Sequence, residues 1–197
     1  MCLPLFENLN GSNLWLIGRT GVREMVTIVS KTWVCVFSLI LLASTFQFAF
    51  AQDAPTGRVI LEVSGDIART NGEGVMRYDL AMLESLGAHE ILTETPWTHG
   101  MHSFVGVLAR DIMKDVDAQG TKITATALND YSVDIPIIDF QQFGVIFAFQ
   151  KDSKYLTVRG RGPLWVIYPW SSESSLQNEL YYSRSIWQLQ SIDVRSN

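Results

Sequence analysis

Residues 33–50 read WVCVFSLILLASTFQFAF, an apolar run without a charge. Lys31 stands just ahead of it, and Ala49-Phe50-Ala51 places small residues before Gln52. A cation, an apolar stretch and an A-x-A pattern make a secretory signal. The run approaches the length of a membrane span, but the polar QDAPTG that follows favours cleavage after Ala51 over retention as an anchor. Residues 1–24 show no periodicity and Met25 follows them, so they read as a start-site overextension or a long n-region. Residues 25–51 are then the signal, and residues 52–197 one domain of ordinary size. The expected location is periplasmic or secreted. The expected route is Sec-type, because Arg19 and Arg23 stand apart and no adjacent arginine pair precedes the run.

This processing removes both cysteines, Cys2 and Cys35. The mature domain is left without a disulfide, a thiolate ligand or a cysteine nucleophile, although it is exported. Residues 1–51 carry three of the 15 Lys/Arg and two of the 20 Asp/Glu, so the remainder is more acidic than the whole chain at −5. An acidic domain with no basic run is a poor partner for nucleic acid and for anionic lipid.

The mature segment has no repeat and no Pro/Gly-rich linker after Gly57. RVILEVSGDI alternates into a turn at Gly65-Asp66 and predicts a strand. YDLAMLESLG sets Leu80, Leu83 and Leu86 on one helical face, with Asp79 as N-cap and Gly87 as stop. HEILTET predicts a strand ending at Pro96. FVGVLARDIMKDV places Val105, Leu108 and Ile112 at helical spacing and predicts a helix closed by Gly120. KITATAL and YSVDIPI predict a strand pair about Asn129-Asp130, VIFAFQKDSKYLTV a hairpin turning at Lys151–Lys154, GPLWVIYPW a buried strand and SIWQLQSIDV a last strand. Strands with two or three interspersed helices and few βαβ crossovers predict an α+β fold with a mixed, mostly antiparallel sheet.

These segments, in this order, resemble the oxidoreductase molybdopterin-binding domain family, the sulfite-oxidase fold. FVGVLARDIM resembles its W-x-G-x-x-L-x-D-L-L segment. ALNDYSVDIPI resembles its D-G-Y-x-x-x-(L/I)-P strand pair. IFAFQKDSKYLTVRGRGPLWVIYP resembles its long hairpin ending G-x-P-x-R, and SIWQLQSIDV its closing strand. The likeness runs from about Gly57 to Val194 and is nearest to a short exported branch with TPW, ALNDY, GPLW-x-x-YP and RSIWQL as recurrent pieces. The resemblance implies a molybdenum held by a cysteine thiolate at a position that here falls on Thr93 or Thr95. A hydroxyl is a far weaker ligand for such a site. It also implies an arginine after G-x-P-x and a lysine in V-K-W. Here Trp165 follows Gly162-Pro163-Leu164, and Arg184 stands two residues before the displaced lysine position. Cofactor loading in the cytoplasm would further call for a twin-arginine signal.

Several residues are candidates for a site in the remnant pocket. His99 and His102, beside Trp97, could offer two nitrogens to zinc or copper if helical, but Pro96 and Gly100 favour a loop and no third ligand is near. His102 is better placed as a pocket-lining or N-capping residue. Asn129, Asp130 and Tyr131 read as a turn leading into a strand, or as polar groups on a pocket rim. Arg159 and Arg161 among glycines could cradle an anion, or sit in a solvated turn. Trp165, at the place of a phosphate-binding arginine, either plugs the pocket or floors it for a flat ligand.

The expectation is a ligand-binding, sensory or partner-binding module that has lost molybdenum chemistry and carries no cofactor. Its partner would be a small anionic or aromatic ligand, or a periplasmic or membrane protein. The alternatives are a molybdopterin-dependent oxidoreductase with non-cysteine ligation, with Arg159, Arg161 and Arg184 near the pterin phosphate, and a structural subunit with a filled pocket.

Overall fold

A computed structural model describes residues 54–196, which lie within one compact unit, Gln52–Asn197. The expected signal, the cleavage point after Ala51 and the segment before Met25 lie outside the described residues.

Among the described residues ten strands form two five-stranded sheets. The first has the order β2-β1-β10-β5-β6, from β1 (Val59–Gly65), β2 (Met76–Asp79), β5 (Lys122–Ala127), β6 (Ser132–Pro136) and β10 (Leu189–Arg195). The first and last strands run parallel side by side, while every other pairing in both sheets is antiparallel. The second sheet joins β3 (His89–Thr93), β4 (His102–Leu108), β7 (Ile146–Lys151) and β8 (Lys154–Tyr155), with β9 (Trp165–Ile167) also on β7. Among the described residues four α-helices interrupt the strands: α1 (Leu80–Ser85), α2 (Ala109–Asp115), α3 (Ile137–Gln142) and α4 (Glu179–Arg184). The fold is therefore α+β with mixed sheets and few helices.

Alternation along β1 buries Leu61 and Val63, and along β5 buries Ile123, Ala125 and Ala127. These residues belong to one core cluster with Phe104, Val107, Ile146, Phe147 and Val166 of the second sheet. The α1 start is capped as its sequence predicts: Asp79 Oδ1 accepts the Met82 amide at 2.9 Å, and Oδ2 accepts those of Gly57 and Thr56 at 2.7 and 2.9 Å. The Met82 amide foremost, then that of Gly57, holds this carboxyl below its usual value; burial opposes them and Thr56 adds to the lowering. Gly65, with φ of 87°, makes the turn after β1, where an added Cβ would stand 2.1 Å from the Val194 carbonyl oxygen.

The helix expected over FVGVLARDIMKDV is a strand followed by a helix. Residues up to Gly106 pair with β3, Phe104 to Leu108 pair with β7, and α2 begins only at Ala109. Helical spacing of Val105, Leu108 and Ile112 competes there with β-branched residues in the middle of a sheet, and sheet pairing wins. Gly106 marks the reason. A Cβ on it would lie 2.3 Å from the Phe147 carbonyl oxygen, so this position accepts the close approach of β7 only as glycine. The last strand starts at Leu189, later than SIWQLQSIDV suggests, and the short elements β2, α3 and α4 had no clear periodic signal.

Candidate functional site

The segment after β3, the β5–β6 turn and α4 with the residues after it enclose a cleft of about 570 Å³. Its walls include Trp97, Tyr182 and Trp187, with Asn129, Tyr131 and Glu179 also lining it. This volume lies in the range of small-molecule sites.

Each wall has a local cause. The β5–β6 turn places Asp130 in the left-handed region at φ 64° and closes with the Asp130 amide donating to the Ala127 carbonyl at 3.0 Å. Asn129 Oδ1 accepts the Tyr131 amide at 3.3 Å, which keeps both residues on the cleft side while Asp130 is not among the lining residues. Asn178 caps α4 by accepting the Leu180 amide at 3.0 Å. Glu179, Tyr182 and Ser183 then fall at i, i+3 and i+4 and share the cleft-facing side. The far end of α4 is anchored by Arg184, whose Nη1 lies 2.8 Å from Asp139 Oδ2. The Tyr168 hydroxyl donates to the same oxygen at 2.9 Å. Burial first, then the Asp139 carboxylate, pushes the Tyr168 phenol well above its usual range.

Behind the cleft wall stands an aromatic cluster. Trp97 makes ring contacts at 5.9 Å with Trp165, 5.9 Å with Trp170, 6.3 Å with Tyr182 and 5.4 Å with Trp187. Trp165 is fully buried, packs edge-on against Phe104 at 5.4 Å and donates from Nε1 to the Ser185 carbonyl at 3.2 Å. It does not line the cleft. Of its two expected roles it fills space, and Trp97 and Trp187 present the rings to the opening. The guanidinium of Arg161 lies 5.1 Å from the Trp165 ring centroid and 5.5 Å from that of Trp187, and its Nη2 donates to the Trp97 carbonyl at 3.3 Å.

The remaining candidates lie elsewhere or are occupied. Thr93 is buried; its hydroxyl accepts the Ser171 amide at 3.0 Å and donates to the Glu94 carbonyl at 3.0 Å. Thr95 Oγ1 lies 2.8 Å from Thr98 Oγ1 and accepts the Trp97 amide at 3.2 Å. His102 stands on β4 and caps no helix. Its Nδ1 is 2.8 Å from Asp152 Oδ2 and its Nε2 is 3.1 Å from the His99 carbonyl, so both ring nitrogens face acceptors and neither is left for a metal. His99 is exposed. Among the described residues no group of three or more His, Cys, Asp or Glu is arranged to hold a metal ion. Arg159 stands exposed on the 3-10 turn Val158–Gly160.

The structure thus brings Trp97, Asn129 and Tyr131 together in the cleft lining, leaves His102, Arg159 and Arg184 out of it, and sets Arg161 behind the lining, bonded to the Trp97 carbonyl. Tyr182, Trp187 and Glu179 are not among the candidates that the sequence alone singles out. The Asn178 cap followed by Glu179, Tyr182 and Ser183 on one helical face was the available signal.

No family model matches this chain, and no curated protein matches it. Among solved structures it is similar to the sulfane dehydrogenase SoxCD from Paracoccus pantotrophus, with a TM-score of 0.51 and 12% identity over 70% of this chain. The match spans 38% of that dehydrogenase chain, so the likeness reaches well under half of its length. At this identity the comparison shows a shared α+β fold and nothing of activity or cofactor.

Proposed function

We propose that this chain is an exported domain of molybdopterin-binding type that has lost molybdenum chemistry and binds a small ligand, as a periplasmic ligand-binding or sensory module. The observation that carries this reading is the contrast between an open aromatic cleft and the committed state of the groups that would hold a cofactor. Molybdenum and pterin fit these residues poorly. The described residues include no cysteine, and the Thr93 and Thr95 hydroxyls are spent on Ser171, Glu94, Thr98 and Trp97. Arg184 is tied to Asp139, and Arg161 rests on two indoles. A phosphate would have to displace these contacts, and drawing Arg184 away would leave the buried Asp139 without its counter-charge.

The cleft by contrast has rings with free faces and edges at its mouth: Trp187 is 36% exposed and Tyr131 49%. Such a lining favours a flat or apolar body over an anion. The test is metal analysis with pterin fluorescence on protein taken from its native exported state. The expected result is far less than one molybdenum or pterin per chain. Near-equimolar molybdenum with pterin would overturn the proposal and restore the oxidoreductase reading with non-cysteine ligation.

A further inference from the structure

We infer that the cleft selects an organic cation: a protonated or quaternary amine carried on an aromatic or aliphatic body. This rests on the reading of the cleft as a ligand site and adds the sign of the ligand's charge. Trp97, Tyr182, Trp187 and Tyr131 line the cleft together. Trp97 meets Trp187 at 5.4 Å with an interplanar angle of 79° and Tyr182 at 6.3 Å with 76°. Rings set nearly perpendicular to one another form a corner and present both a face and an edge to its occupant. Aromatic faces carry negative potential and attract cations, most strongly where water is excluded.

The charged residue among those lining the cleft is Glu179. Among the described residues its carboxylate has no ion-pair or hydrogen-bond partner, unlike Asp79, Asp134, Asp139 and Asp152. A carboxylate lining the same cleft as a corner of indole and phenol rings is complementary to an ammonium group with a carbon body. Arg161 takes part of the Trp187 ring and lies over Trp165, but it is held to the Trp97 carbonyl and is not among the lining residues, so Glu179 is the charge that the cleft presents. The surplus of Asp and Glu over Lys and Arg across the chain favours approach of the same sign of ligand.

The experiment titrates the exported protein with three probes of one shape and three charges: phenethylammonium, phenethyl alcohol and phenylacetate. Intrinsic tryptophan fluorescence, checked by calorimetry, reads the affinity. The expected order is cation, neutral, anion, with the cation at least about fivefold tighter than the neutral probe. Glu179→Gln should remove most of that preference. Glu173→Gln, an exposed acid outside the cleft, should keep it. Equal affinities for the cation and the neutral probe, or tighter phenylacetate, would overturn the cation inference and leave a ligand cleft standing. Failure of all three probes to bind would remove the ligand-site reading along with it. An undiminished preference in Glu179→Gln would show that the carboxylate is not the selecting group.

Discussion

Arg161 and Arg184 occupy two regions that the family resemblance would both assign to phosphate, and they are held in opposite ways. Arg184, at the end of α4, has a side chain 14% exposed and faces the nearly buried Asp139, which also takes the Tyr168 hydroxyl. Its Nε has no partner among the described residues. Arg161, in the turn before β9, has no carboxylate within reach among the described residues and lays its guanidinium on two indoles. The first region satisfies a buried charge with an opposite charge. The second spreads a half-exposed charge over aromatic faces. Each guanidinium is already engaged by a neighbour inside the fold, so an arginine near a sequence motif is a poor guide to anion binding until its neighbours are known.

The sharpest way to break this comparison is Asp139→Ala. It strands Arg184 and the Tyr168 hydroxyl in a buried setting, and the expected loss is about 3–5 kcal/mol in denaturant unfolding. Adding Arg184→Met should recover part of that loss, because no uncompensated charge then remains. A loss under about 1 kcal/mol for Asp139→Ala would mean that water reaches the pair and that α4 is not anchored by it.

Arg161→Leu should cost less, about 1–2 kcal/mol, since it gives up cation–π contact and one hydrogen bond to a carbonyl but leaves no buried charge behind. The tryptophan emission should shift as well, because Trp165 and Trp187 lose their neighbour. If Arg161→Leu were the more damaging of the two arginine-region changes, the contrast would be reversed.

Asp79 extends the comparison to a carboxylate held by amides instead of by an arginine. Asp79→Ala should lose about 1 kcal/mol, the usual value of a helix cap. The folded carboxyl titrates below its unfolded value. Its contribution is therefore fully present above roughly pH 4 and is lost as pH falls through the lower folded value. Acid unfolding curves of wild type and Asp79→Ala should converge at low pH. Curves that stay parallel throughout would show that the cap does not depend on the charge.

The smallest expected effect is at the His102–Asp152 pair, which is partly exposed, with side chains 21% and 47% accessible. His102→Ala should cost up to about 1 kcal/mol, and His99→Ala, on an exposed loop, within about 0.5 kcal/mol. Equal large losses rescued by added zinc or copper would reopen a metal role for the two histidines.

Local patterns were legible where a period or a turn residue had no competitor. The alternation of β1 and β5, the Asp79 cap and the Asn129-Asp130 turn are each visible in a few consecutive residues. FVGVLARDIMKDV was not, because helical spacing and β-branched composition coexist there, and only pairing with β3 and β7 separates them. The candidate site was partly legible: Trp97, Asn129 and Tyr131 do meet. Glu179, Tyr182 and Trp187 join them from far along the chain, by way of a six-residue helix too short to carry a strong periodic signal.

The sequence by itself determined the α+β character, the acidic balance and the lack of any cysteine in residues 52–197, since these follow from composition and short-range pattern. Only the tertiary structure decided which side chains were already spent. Thr93, His102, Arg161 and Arg184 look available in one dimension because their partners, Ser171, Asp152, Trp97 and Asp139, are chosen by packing and not by neighbourhood in the chain. A buried polar group must be paired, and most of these partners arrive from a different strand, turn or helix.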